Sequence, residues 1–285
     1  MSLQQPLYSA PQLFFAILNK KKVPLEQFEP FSIQIENLYA NDKQLFRFTS
    51  EFGEPDDIPT FAFITAFKAS LQCLSQAKIP SSIMGLIHIS SEFQLHNNHN
   101  WLMPFNIKLT VNQCHQSDKG LMYTITTDFY QRGLLTITNI NQMLDKSRKY
   151  SSNKSATPDI PSSEEPKLIE LENWPITQKT AWRYVRISGD VNPIHLHPIL
   201  AKQFGLPNVL IHGMYNASKT LQEMKKQNIS FGQRLLIEFN RPCFIPNSVH
   251  LKQYEGKNEF ALFSSDGNDR FLKLTTELEL TDELS

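Results

Sequence analysis

The stretch from Phe61 to Leu74 (FAFITAFKASLQCL) is apolar on almost every side and follows Pro59. It is too long for a buried strand, and proline stands where helices begin, so it reads as a helix. A helix without a polar face cannot lie on a surface, so something must wrap it. A curved sheet is the economical wrapper. The residues that follow supply one: Gly85–Leu95, Phe105–Val111, Leu121–Phe129 and Leu134–Asn139 alternate or run apolar in the manner of strands.

The same order of signals returns later in the chain. Met214–Met224 (MYNASKTLQEM) is a second helix candidate, and GQRLLIEFNRP from Gly232 matches GLIHISSEFQL from Gly85 in leading through apolar residues into Glu-Phe. Strand-like runs follow at Val249–Tyr254, Phe260–Ser264 and Arg270–Leu280. The chain is therefore expected to hold a weak repeat, each half one long helix followed by an antiparallel meander. Between the halves lies KSRKYSSNKSATPDIPSSEEPK, rich in serine, proline and charge and longer than most loops of a compact domain. It divides the chain into an N-terminal domain at 1–145, a linker at 146–167 and a C-terminal domain at 168–285, within a length of 285 residues that suits two domains.

Composition closes off several function classes. With 28 basic and 28 acidic residues the chain has no global field to attract nucleic acid or an anionic membrane. Cys73, Cys114 and Cys243 are scattered and lack CxxC spacing, which argues against a disulfide framework or a zinc site. The apolar run Leu13–Leu18 is too short to span a bilayer. A cytoplasmic protein is expected. Gly-rich phosphate loops, GxSxG elbows and dinucleotide fingerprints are missing, so neither a nucleotide cofactor nor a serine nucleophile is anticipated, and no cofactor is assigned.

Chemistry concentrates in Trp182–Met214, WRYVRISGDVNPIHLHPILAKQFGLPNVLIHGM. Ser188-Gly189-Asp190 and Asn192-Pro193 force a turn, and a helical pattern from Ile194 to Phe204 follows, closed by Gly205. Asp190 and His195 flank that turn. An imidazole that titrates near pH 6.5 and a carboxylate that titrates near 3.9 make a usable pair for moving the protons of a water molecule. His212-Gly213-Met214 opens the second helix, and its free backbone amides suit an oxygen that gains negative charge. Gly213 is the candidate donor.

Tyr184, SGDVNPIH at Ser188–His195, Ala201, Gly205 and His212-Gly213-Met214 together resemble the MaoC-like family, the R-specific enoyl-CoA hydratases, across about thirty residues. The resemblance implies an α+β double hot-dog fold, each half a curved antiparallel sheet around a long central helix. It implies a hydro-lyase that interconverts trans-2-enoyl and (R)-3-hydroxyacyl thioesters. Asp190, His195 and Gly213 would be catalytic; Asn192, Tyr184, His212 and Met214 would bind substrate.

The implied partner is an acyl-CoA or an acyl carrier protein thioester, with no nucleic acid, membrane or metal, and a homodimer of the pseudo-dimeric chain is allowed. The N-terminal half has SEFGEPDDIPTFAF where the motif would stand, and Asp56 and Asp57 have no histidine five positions on. That half is expected to be degenerate and to accommodate medium or long acyl groups.

Plainer readings compete. Aspartate in an SGD turn is most often a cap, and only the company of His195 and the HGM favours chemistry. His197 reads as a surface or capping group and His212 as a group that holds its loop. His96, His99, Cys114 and His115 lack metal-site spacing and read as a solvated loop, and Lys20–Lys22 as a solvated helix end. Two alternatives to the hydratase stay open: a 3-hydroxyacyl carrier-protein dehydratase, and a protein that binds acyl thioesters without turning them over.

Overall fold

The computed structural model describes residues 3–4, 6–148 and 167–277. In the N-terminal half these form β1 (Leu3–Gln4), α1 (Ala10–Leu18), β2 (Phe31–Leu38), α2 (Asp42–Phe52), α3 (Thr60–Gln76), β3 (Ile87–Leu95), β4 (Phe105–Ser117), β5 (Gly120–Gln131) and β6 (Leu134–Asp145). The C-terminal half contributes β7 (Leu168–Ile176), α4 (Gln178–Ser188), α5 (Pro198–Gln203), α6 (Gly213–Lys226), β8 (Arg234–Phe239), β9 (Asn247–Tyr254), β10 (Glu259–Ser264) and β11 (Arg270–Glu277). Most of the serine- and proline-rich linker, 149–166, and the end of the last expected strand, 278–280, lie outside the described residues.

The eleven strands among the described residues form one sheet in the order β1-β2-β4-β5-β6-β3-β8-β11-β10-β9-β7. Apart from the short parallel β1, every pairing is antiparallel. Leaving β1 aside, the order mirrors itself about the β3–β8 pair: reading outward from it, each half adds its strands in the same relative sequence and ends on β2 or β7, the strands that precede α2 and α4. The two Glu-Phe segments that suggested a repeat are the strands at this seam, where Ser91 pairs with Ile237 and Glu92 with Leu236. This is an α+β double hot-dog.

Each long helix lies in the hollow of its half. On α3, Phe61, Ala62, Ile64, Ala66, Ala69, Cys73 and Leu74 are buried, as expected of a helix apolar nearly all round. Burying a ring such as Phe61 contributes on the order of 2–3 kcal/mol. On α6, Met214, Ala217, Leu221 and Met224 are buried along with Asn216, Ser218 and Thr220. The two helices meet at a buried hydrogen bond, Thr60 Oγ1 to Ser218 Oγ at 2.8 Å.

Two shorter helices precede the long ones. Asn41 Oδ1 accepts the Gln44 N–H at 3.1 Å and starts α2, which ends at Gly53. In α4, Thr180 Oγ1 accepts the Thr177 N–H at 3.2 Å, and the helix closes on Gly189 at φ 74°, a left-handed conformation that glycine adopts without strain. Helices α2 and α4 run antiparallel against each other. Phe52 packs edge-on to Tyr184 and Tyr215 at 6.1 and 5.8 Å. Arg183 reaches both carboxylate oxygens of Glu51 at 2.9 and 3.0 Å.

Candidate active site

Between α4 and α6 the chain makes the turn that carries the chemistry. The Asp190 N–H donates to Ser188 Oγ at 3.2 Å, and Asp190 Oδ1 accepts the Asn192 N–H at 3.0 Å. The carboxylate is thereby tied to its own loop, the usual behaviour of aspartate in such a turn. Asn192 Oδ1 faces the Ile194 N–H at 3.5 Å and heads a 3-10 turn over Pro193–His195.

The helical pattern expected from Ile194 to Phe204 is broken in two. His195 sits in the 3-10 turn, and α5 begins only at Pro198. His197 is extended there, as a residue before proline must be, and its Nδ1 accepts the Ile199 N–H at 3.2 Å. The break matters because it turns His195 inward while His197 stays at the surface.

His195 is 7% exposed and His212 5%. Their rings stack at 3.6 Å between centroids with 25° between planes. His195 Nδ1 lies 2.6 Å from the Leu210 carbonyl, and Leu210 N–H in turn donates to the Ile194 carbonyl at 3.1 Å. A carbonyl only accepts, so Nδ1 carries the proton and Nε2 keeps its lone pair.

His212 Nε2 lies 3.3 Å from the Asp190 carbonyl and 3.6 Å from its Oδ2. Both neighbours are acceptors, so the His212 proton sits on Nε2. The remaining nitrogen, Nδ1, is buried without a partner.

Burial pushes the Asp190 carboxyl up, with His195 and the Asn192 N–H opposing. Burial pushes His195 down, with Asp190 and the Leu210 contact opposing. The two shifts run toward each other, so burial brings the proton affinities of the carboxyl and the imidazole closer together. His212 is held far below its ordinary value by burial and by His195, and stays neutral.

Among the described residues, Asp190, His195 and His212 are the one place where three groups able to ligate a metal converge, all within 4.8 Å of one another. Stacked rings direct their lone pairs along near-parallel planes, whereas a metal needs them to converge. The arrangement suits a water molecule better.

Gly213 is the first residue of α6, and a helix's first N–H has no acceptor inside the helix. A Cβ built there would come within 2.8 Å of the Phe239 ring, so β8 leaves room for glycine alone. Phe239 lies 4.8 Å from His88, which stacks on Phe63 at 5.2 Å and 17°. An aromatic wall thus runs from the start of α6 into the N-terminal half. Its members were not legible locally, because β3, β8 and α3 meet only through the sheet.

Tyr184 is buried behind His212, with ring centroids 5.0 Å apart, and packs edge-on to Tyr215 at 5.8 Å. Met214 is buried in the core beside Gly213. In the N-terminal half the turn before α3 is short. Its Asp57 pairs with Lys225 at 2.7 Å.

Residues 162–261 match the family model described as MaoC like domain. The match falls almost wholly in the C-terminal half and spans the turn, both buried histidines and Gly213. Over 198 residues, 69% of each chain, the protein is 25% identical to 3-hydroxyacyl-thioester dehydratase X of Mycobacterium tuberculosis. A 111-residue segment, 38% of this chain and 5% of the relative, is 29% identical to the fatty acid synthase beta subunit TOXC of Cochliobolus carbonum.

Among solved structures, HtdX of Mycobacterium tuberculosis superposes with a TM-score of 0.69 at 19% identity, covering 86% of this chain and 98% of that one. A MaoC-like dehydratase from Phytophthora capsici gives 0.64 at 14% identity, covering 90% and 100%. These likenesses extend the fold over both halves and not only the matched domain. No described helix is long and apolar enough to cross a membrane.

Proposed function

We propose that the Asp190–His195 pair and the Gly213 amide add water to trans-2-enoyl thioesters, giving (R)-3-hydroxyacyl thioesters, and catalyse the reverse dehydration. The chain is a hydro-lyase acting on acyl thioesters. The observation that carries the finer reading is the convergence of Asp190, His195 and His212 within 4.8 Å beside the first turn of α6.

A water held between Asp190 and His195 Nε2 loses a proton to the pair as its oxygen bonds to the β-carbon. The thioester oxygen gains charge as the enolate forms, and the Gly213 N–H at the positive end of α6 stabilises it. The proton then goes to the α-carbon, so the elements of water are added across the double bond. His212 holds the Asp190 backbone and carboxylate in place, and Asn192 shapes the turn.

The wall of Phe239, His88 and Phe63 supports an acyl chain of medium or greater length lying against the N-terminal half. Burial pushes His88 down to about 4, so its ring is neutral and serves as an apolar plate. The carrier is coenzyme A and the setting cytoplasmic in this reading.

Loss of enoyl absorbance on a series of trans-2-enoyl-CoA thioesters of four to sixteen carbons tests it. Hydration should rise toward the longer members and vanish in Asp190→Asn. Activity confined to four carbons would remove the chain-length assignment, and near-normal turnover in Asp190→Asn would remove the mechanism.

A further inference from the structure

The last four carbonyls of a helix have no partner inside it and must find donors elsewhere. In α4 those are the carbonyls of Val185 to Ser188, directly before the turn that bears Asp190. Val185 O receives the Gly189 N–H at 2.9 Å. The next two are served from the other half of the molecule: Arg186 O receives Arg47 Nη1 at 3.0 Å, and Ile187 O receives Gln44 Nε2 at 2.7 Å. Both donors stand on α2.

The helix end so fixed leads directly to the carboxylate. Ser188 Oγ donates to Tyr184 O at 3.0 Å and accepts the Asp190 N–H at 3.2 Å, so the Asp190 backbone hangs on the last turn of α4. Moving that turn moves Asp190 relative to His195, which is held separately by the Leu210 carbonyl.

We propose that Gln44 and Arg47 are positioning residues for the hydration, holding the end of α4 from the N-terminal half so that Asp190 meets His195 across the water. The inference rests on the functional reading above. It gives the N-terminal half a second duty, besides lining the acyl chain: it sets the geometry of a pair it does not contain. Geometry of this kind weighs heavily, since a displacement of about 1 Å can cost about a hundredfold in rate.

A generic loosening of the α2–α4 interface must be told apart from loss of this support. Arg183 serves as the control, because it joins the same helices through Glu51 without touching the α4 carbonyls. Full-length wild type, Gln44→Met, Arg47→Met, the double variant, Arg47→Lys and Arg183→Met are compared for kcat and KM on one enoyl-CoA and for melting temperature. Gln44→Glu, which keeps the size and loses the N–H, replaces Gln44→Met if the latter fails to fold.

The double variant should lose about tenfold in kcat with KM within about twofold, Arg47→Lys should restore most of what Arg47→Met loses, and Arg183→Met should keep its kcat. An unchanged kcat in the folded double variant overturns the proposal. So does a loss carried by KM, or an equal fall in Arg183→Met. Turnover by wild type and its absence in Asp190→Asn, measured in the same assay, keep a failure here separate from a failure of the active-site reading.

Discussion

After α2 the chain needs only Gly53–Pro59 to reach α3, whereas after α4 it takes Gly189–His212 to reach α6. The two helices are otherwise alike. Each ends on a glycine with positive φ, carries an arginine six residues before that glycine (Arg47, Arg183), and packs against the other. In the short connection Glu54, Asp56 and Asp57 stay near solvent, and Asp57 is spent on an exposed pair with Lys225. In the long one there is chain enough to fold a 3-10 turn and α5, and to bring His195 back over His212. A carboxylate after a helix-ending glycine is common to both; what sets the second apart is the extra chain that supplies and buries two imidazoles.

The sharpest way to break this comparison is to remove the carboxylate on each side. Asp190→Asn is expected to cut kcat for enoyl hydration by about a thousandfold or more with the fold intact, because the amide cannot share a proton with His195. The Asp56→Asn, Asp57→Asn double variant should keep wild-type turnover; a comparable loss there would give the short connection a chemical role.

Next in size is Gly213→Ala. The added methyl meets Phe239 at 2.8 Å, so either β8 or the start of α6 must shift. An overpacking cost of about 1–3 kcal/mol is expected in urea unfolding, with a fall in kcat of about a hundredfold if the amide is the oxyanion donor. Its counterpart at the start of α3 is Thr60, which tolerates a side chain because it hydrogen-bonds to Ser218.

The pH dependence separates the halves again. His88 and His99, both pushed down to about 4 by burial, belong to the N-terminal half, and His195 and His212, also lowered by burial, to the other. Between those folded values and the ordinary 6.5 the unfolded chain binds more protons, so stability rises with pH across that window and is lost as pH falls through it. Asp190 has the opposite sign, since a raised carboxyl makes stability fall as pH rises past its ordinary value. Four imidazoles outweigh the two raised carboxyls, Asp190 and Asp56, so thermal melts should shift down from pH 7 to pH 4.5, less so in His99→Gln. Turnover should fall on the acid side with a midpoint above the usual carboxylate range in both proteins, because that limb belongs to Asp190.

The smallest effect is reserved for Lys225→Ala. Its pair with Asp57 is more than half exposed on the lysine side, so stability should change by less than about 1 kcal/mol and turnover not at all.

Much of this was legible in the sequence where burial leaves a one-sided mark. The all-round apolarity of Phe61–Leu74 and the alternation of β4 and β5 named the central helix and the meander, and SGDVNPIH named the turn. Helices α2 and α4 leave little mark in the sequence because each buries only a narrow stripe, Phe48 and Phe52 in one and Ala181, Tyr184 and Ile187 in the other. Strand β7 leaves as little because it lies at the sheet edge, where only Trp174 and Ile176 are buried and alternation fades. The expected helix from Ile194 to Phe204 is instead two elements because Pro193 and Pro198 are both good first-turn residues, and sequence alone does not say that each starts its own. Phe239 against Gly213, and Gln44 and Arg47 on the end of α4, arise from tertiary pairing that leaves no local trace.

The β3–β8 seam has one more consequence. Two separate hot-dog chains meeting at such a ladder would part on dilution, and a site leaning on both would empty with them. Here the ladder from Ser90–Glu238 to Gln94–Arg234 joins parts of one polypeptide. The encounter of the halves is governed by a tether rather than by mass action. Specific activity should therefore hold from micromolar to picomolar protein, where a two-chain version would fail.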